Sequence, residues 1–390
     1  MKKMMTEMLA AMLICTWMSL TCVAQESTDT DMMPTEQHAG GVKSLEKRIQ
    51  QLEAAVGREV TSDKWYDRLQ FSGVLEVEAG YSKTDFKDPA ADDEKTSDID
   101  LATVELGVDA KIAEHVDGHV LIKWEADELF VDEGFVTLIG TEAMPAYLVA
   151  GRQYIPFGNF DSHFLTDPTT LILGETNEGA LVGGYRFKGE MIDFSAGVFN
   201  GKVKEIDNDD QISNYVVALV FSPLENVTCG ASYTSNLAAA ETTAEFITDL
   251  DGDGSTDNIA SFVGGWSAFV SATFWERFKL IGEYVGASED FRAGELYDAG
   301  DTQKRQPQAW NLELGFAFTD TLEAAVRYEG SDDGGDANSG EFLLPESQYG
   351  AVVNWGFYEN TNLALEYLHG EFEGDYQETD TATLQLAVEF

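Results

Sequence analysis

From Leu69 to Phe390 apolar side chains return at every second position, and a chain that keeps this rhythm folds as sheet. In the first such segment Leu69, Phe71, Gly73, Leu75, Val77, Ala79 and Tyr81 share one face, while Gln70, Ser72, Glu76 and Glu78 lie largely on the other. Trp310, Leu312, Leu314, Phe316 and Phe318 alternate in the same way with Asn311, Glu313, Gly315, Ala317 and Thr319. The last segment sets Leu384, Leu386, Val388 and Phe390 against Thr383, Gln385, Ala387 and Glu389. The pattern yields roughly sixteen strands of about ten residues, the length that crosses a bilayer at a slant. The expected fold class is therefore all-β, a transmembrane antiparallel β-barrel over residues 69–390.

Connection lengths point the same way. Tight links at Ala113-Glu114, Ser222 to Asn226, Trp275 to Arg277, Asp320 and Tyr358 to Thr361 alternate with long acidic segments at 82–98, 156–178, 201–212, 236–261, 288–306 and 331–346. Every long segment falls on one side of the sheet, where only the link near Asp127 to Leu129 is short, as in barrels with short inner turns and long outer loops. Phe221, Phe274, Phe318, Trp355 and Phe390 sit beside the short turns, and Tyr81, Tyr233, Tyr284, Tyr328 and Tyr367 sit toward the long loops. These two aromatic girdles match the two lipid-water boundaries of a bilayer. The expected location is the bacterial outer membrane.

Residues 1–24 read as a signal peptide: Lys2 and Lys3 lead an apolar run from Met8 to Leu20, and Cys22-Val23-Ala24 approximates a cleavage site. Residues 25–41, polar and rich in helix breakers, read as a disordered leader. Val42, Leu45, Ile49, Leu52 and Val56 then recur at coiled-coil spacing over 42–57, predicting a short helical stalk in the periplasm, joined to the barrel by a linker at 58–68. The stalk suggests a homo-oligomer, with a trimer the favoured state. Cys229 is left as a lone thiol after the signal, so no internal disulfide or cysteine metal cluster is expected.

The chain has 70 Asp plus Glu against 24 Lys plus Arg and a formal charge of -46. Such a surface repels phosphate backbones and excludes nucleic acid as a partner. The segment 156–178, PFGNFDSHFLTDPTTLILGETNE, is apolar enough to fold inward and constrict the lumen. Its Asp161, Asp167, Glu175 and Glu178 are expected to face a basic wall of Arg152, Arg186 and Lys188, joined by His119 and Lys123. Opposed charges across a narrow opening orient a dipolar solute and set ion preference.

The stretches GRQYIPFGNFDS from Gly151, TDPTTLILGETNEGALVGGY from Thr166 and SAGVFNG from Ser195 resemble the signature region of the outer-membrane siderophore porins typified by the importer of legiobactin. The order of signal, short coiled coil and barrel is similar over nearly the whole chain. The resemblance implies passage of a siderophore through a porin without an energy-coupled plug.

Other signals are weaker. Asp249, Asp251, Asp253 and Asp257 in DLDGDGSTD match the start of a calcium loop, but Ala260 stands where a bidentate Glu belongs. The five histidines have no zinc-like spacing, no Ser-His-acid arrangement is recognisable, and no cofactor or enzyme activity is expected. The expected partners are a siderophore or other small polar solute, outer-membrane lipid and lipopolysaccharide. The competing readings are a general cation-preferring diffusion porin and a barrel that tethers the envelope through its stalk.

Overall fold

The computed structural model describes residues 65–87, 91–125, 128–187, 191–206, 211–248, 258–336 and 340–390. The signal peptide, leader and coiled coil, the linker up to residue 64, Lys188 and the Asp249 to Asp257 run lie outside the described residues. Trp65–Arg68, the end of the expected linker, forms one 3-10 turn.

Sixteen strands close into one barrel with every neighbour antiparallel. They are β1 (Leu69–Phe86), β2 (Glu94–Ala113), β3 (Val116–Glu125), β4 (Glu128–Thr141), β5 (Met144–Tyr154), β6 (Asn177–Phe187), β7 (Ile192–Phe199) and β8 (Asn214–Leu224). Then follow β9 (Val227–Thr234), β10 (Gly265–Phe274), β11 (Phe278–Ala287), β12 (Gln308–Thr319), β13 (Leu322–Asp332), β14 (Ser347–Tyr358), β15 (Thr361–Glu371) and β16 (Gln377–Glu389). Among the described residues two short α-helices lie in connections, α1 (Thr169–Gly174) and α2 (Glu241–Glu245).

Closure comes from the pairing of the first strand with the last. β1 pairs with β16 from Val74 opposite Glu389 to Phe86 opposite Gln377, and Gly73 and Phe390 exchange both backbone hydrogen bonds at 3.0 Å. A Cβ on Gly73 would stand 2.3 Å from the Phe390 ring, so the glycine makes room for the last side chain at the seam. A closed sheet has no unpaired edge, which is what hydrocarbon demands of a β structure.

The alternation sets the two faces. On β12 Leu312, Leu314 and Phe318 are exposed on the outside, while Asn311 and Glu313 are buried within. Cys229 pairs with Val270 on the same outward phase as Tyr233 and Trp266.

Connections at 114–115, 142–143, 225–226, 275–277, 320–321 and 359–360 form a short-turn rim. The other rim carries 155–176, 200–213, 235–264, 288–307 and 333–346, with shorter links at 87–93, 126–127 and 372–376. Two expectations need correction here. Much of 82–98 is strand, because residues 82–84 pair with both β2 and β16 and residues 85–86 with β16, which leaves a short link at 87–93, and the link at 372–376 is another short one on this rim. The apolar core sits inside the lumen at the long-connection rim, where Phe157, Leu173, Leu237, Ile259, Phe291 and Leu296 pack together.

Candidate constriction site

The connection 155–176 enters the lumen and crosses to the wall formed by β11 to β15. A loop there has no ladder partner, so its amides need other acceptors. Inward-facing carboxylates supply them. Asn159 and Phe160 donate backbone N–H to the two oxygens of Glu283 at 2.8 Å each. The Ser162 hydroxyl and the His163 N–H donate to Glu313 at 2.9 and 2.7 Å. Leu165 N–H and the Thr166 hydroxyl donate to Glu366 at 2.6 and 2.5 Å, and Thr169 N–H donates to Glu329 at 2.8 Å. These four acids are at most 4% exposed.

Arg327 ties the array together. Its Nε donates to Glu313 at 2.9 Å, and its Nη1 to Glu329 at 3.1 Å and to the Thr166 carbonyl at 2.9 Å. Its Nη2 donates to the Ser162 hydroxyl at 2.5 Å, and the Phe164 ring lies 4.2 Å from the guanidinium carbon. Charge-assisted hydrogen bonds of this kind are the strong ones. The sequence reading missed Glu283, Glu313, Glu329, Glu366 and Arg327 as functional residues. Their one signal is a charged side chain on the inward phase of a strand.

The opposite wall, β1 to β4, lines the open part of the lumen. Lys123 stands there, 3.1 Å from Glu125 and within electrostatic reach of Glu76, Glu105 and Asp132. Asp132 is an extra residue: Leu121 faces Glu133 and Ile122 faces Val131, leaving a bulge between them. Its carboxylate accepts from the Tyr154 hydroxyl at 3.3 Å and from Asn177 Nδ2 at 3.1 Å. Across the opening, Lys123 also reaches Asp167 and Glu175 of the loop. Loss of solvent around Glu175, reinforced by Asp167 and Glu241, pushes its carboxyl up to about 7. Asp167 is raised as well, by the same crowding of its surroundings, although its side chain remains open to the lumen.

The structure brings together Asp167, Glu175 and Lys123 from the expected set. Asp161 is exposed on the loop farther along, and Glu178 is buried as an anchor that accepts the Lys202 N–H at 2.9 Å. Arg152 follows Gly151, whose φ of +142° strains any side chain and whose Cβ would meet the Gly134 carbonyl oxygen at 2.3 Å. Arg152 turns back to the Asp132 carbonyl at 3.0 Å and lies 3.8 Å from Glu241.

Arg186 is not brought to the loop. It sits toward the short-turn rim, 3.3 Å from Asp193 and 5.1 Å from the Tyr147 ring centre. His119 also lies lower, about 13 Å along β3 from Lys123 at 3.3 Å per residue; it binds Asp109 at 2.7 Å and stacks on Phe135. The expected basic wall is thus corrected. The wall facing Asp167 and Glu175 is mostly acidic, with Lys123 set among carboxylates. Among the described residues, no three His, Cys, Asp or Glu side chains are arranged to hold a metal.

In structure, the chain is similar to the outer-membrane channel DcaP of Acinetobacter baumannii, with a TM-score of 0.57 at 12% identity over 83% of this chain and 97% of that one. The fold is that of the outer-membrane porins. An anion-selective porin from Comamonas acidovorans (TM-score 0.56, 12% identity) and a trimer form of OmpT from Vibrio cholerae (0.50, 13%) each align over 83% of this chain and 99% of their own. In sequence, a UPF0422 protein of Legionella pneumophila strain Lens is 26% identical over 316 residues, 73% of this chain. A UPF0422 protein of Coxiella burnetii is 26% identical over 318 residues, 77% of this chain. The chain spans 56% and 64% of the length of these two relatives. It matches no family model.

Proposed function

We propose that the barrel is an outer-membrane diffusion channel that prefers cations, a channel rather than an enzyme. The observation that carries this reading is the constriction itself, where Glu76, Glu105, Glu125, Asp132, Asp167 and Glu175 surround Lys123. A narrow opening with low-dielectric walls and an acidic lining concentrates cations and repels anions. The porin from Comamonas acidovorans is anion-selective on a similar fold, so the fold alone does not set the sign. In this reading the long-connection rim faces the exterior, where its acidic segments meet lipopolysaccharide with its divalent ions. Residues 42–57 form a periplasmic stalk, and the chain assembles as a trimer.

Reversal potentials in planar bilayers under a KCl gradient test the reading. K⁺ preference is expected at low salt, fading near 1 M, where the Debye length contracts to about 3 Å. Anion preference at low salt refutes it.

A second reading, passage of a siderophore, draws on one observation. The segments that resemble the siderophore porins are the lumen-crossing connection and the strands that bound it. Under this reading the acidic lining admits neutral or cationic iron chelates and turns away strongly anionic ones. Uptake of radioactive iron with several purified siderophores by a deletion strain, with and without the restored gene, tests it. Equal uptake in the two strains for every chelate removes the siderophore reading and leaves the cation channel standing.

A further inference from the structure

Just after β5 the lumen-crossing connection folds back on itself. Gly158 takes φ +77° and Phe160 φ +55°, both in the left-handed region. A Cβ on Gly158 would stand 2.2 Å from Phe160 Cζ, so glycine is what lets the Phe160 ring lie over the turn. The wall holds this turn in place: Gly158 N–H donates to Ser232 Oγ at 3.0 Å, and Glu283 accepts from the next two amides. The fold-back leaves a half-open cavity of 310 Å³, lined by Tyr154, Ile155, Phe157, Phe160 and Leu171 with Glu175 among them. Neither the anchoring of the connection nor the ion preference requires such a cavity.

Its chemistry is selective. A recess that sets the rings of Tyr154, Phe157 and Phe160 beside Asn159, Thr176 and one carboxylate suits a ligand with a compact aromatic body and a single positive charge. A neutral aromatic leaves the carboxylate without a partner, and an anion meets a hostile field. The charged groups that face Glu175 are Asp167 on its own connection, Glu241 on α2, Lys123 on β3 and Asp132 on β4, and three of these four are acidic. We propose that this recess is a subsite for organic ammonium ions with a compact apolar or aromatic body, which pause there on their way through the constriction. The subsite rests on the reading of the lumen as a cation path and names a solute class for it. Proton and ammonium compete for the same carboxylate, which burial and its acidic neighbours hold near neutrality.

The test uses the full-length protein in planar bilayers carrying K⁺ current, titrated with phenethylammonium, methylammonium and neutral 2-phenylethanol. Phenethylammonium is expected to block at a concentration about tenfold or more below that of methylammonium, because its ring leaves water on binding. The neutral alcohol is expected not to block. Glu175→Gln, which keeps the side chain's shape, should raise the half-blocking concentration of phenethylammonium about tenfold, and Phe160→Leu should raise it several-fold. Each value is normalised to the variant's own K⁺ current. Leu171→Ala, which alters the lining without touching the turn, should also weaken block and guards against misfolding of the Phe160 variant. Equal block by the two amines, or an unchanged value in Glu175→Gln, in a channel that still prefers K⁺ overturns the subsite alone. Absence of K⁺ preference in the wild type overturns the channel reading and the subsite with it.

Discussion

Replacing Arg327 by methionine keeps most of the side chain's length and removes its charge. In the native barrel Arg327 is 2% exposed, and its partners Glu313 and Glu329 are 1% and 0% exposed. Without the guanidinium these two carboxylates stay buried with no counter-charge between them, and breaking a buried pair in this way costs about 3–5 kcal/mol. The Thr166 carbonyl loses its Arg327 donor in the same step, and the Ser162 hydroxyl loses one of two, keeping the Phe164 N–H. The contacts of residues 159–160 to Glu283 and of residues 165–166 to Glu366 remain, so the connection is expected to loosen around residues 162–163 and 169 while those two points stay attached. Two measurements follow. Urea titration from lipid vesicles should show a destabilisation of about 3–5 kcal/mol, and single-channel recordings should show larger and noisier conductance as the loop leaves the wall. Arg327→Lys should fall between the two, since a point charge cannot serve three acceptors in a fixed fork. A methionine variant with wild-type stability and quiet wild-type conductance would refute the account of how the constriction is held.

Lys123→Gln removes the ammonium from among its acidic neighbours, so reversal potentials in a KCl gradient should move further toward the K⁺ limit; movement toward Cl⁻ counts against the assigned lining. The Glu175 carboxyl, held at about 7, ionises as pH rises through neutrality and adds negative charge to the opening. K⁺ preference should therefore climb between about pH 6 and about pH 8 and flatten in Glu175→Gln; a flat wild-type profile contradicts the placement of Glu175. Cys229, on the outward face with Val270, should react slowly with a membrane-impermeant maleimide in intact membranes. Rapid labelling would mean that the strand or its register is wrong.

The barrel is legible because a period of two leaves one face for lipid and one for the lumen, and a register slip of one residue would reverse every side chain. Leu312 and Leu314 against Asn311 and Glu313 announce their faces without any tertiary information. Phase gives the face but not the height along the barrel. Arg186 has the inward phase that the expected basic wall requires, yet it stands at the far end of β6 from Asn177, where the constriction lies. Height depends on strand ends and bulges, and the extra residue Asp132 is visible only once β3 and β4 are paired. The strand ends at 82–86 are concealed for a similar reason: Ser82, Lys83 and Thr84 carry no apolar rhythm, and it is the ladder to β16 that keeps them extended.

The anchoring acids are hidden for a different physical reason. An acidic residue on an inward position of a wet barrel is satisfied by water, so Glu283, Glu313, Glu329 and Glu366 look no different in sequence from Glu76 or Glu105. They become buried only when residues 155–176 cover them, and that depends on amides distributed along the loop, which no side-chain pattern records. In a chain with 70 acidic and 24 basic side chains, the placement of the cations carries more information than that of the acids. Arg327 clamps the lumen-crossing connection. Arg305, only 4% exposed, clamps the 288–307 connection through Asp301 at 2.8 Å and Asp336 at 3.1 Å. With these two guanidiniums committed to holding loops in place, the water-filled opening keeps Lys123 among a surplus of carboxylates. The same inward folding that narrows the lumen thus leaves it negative.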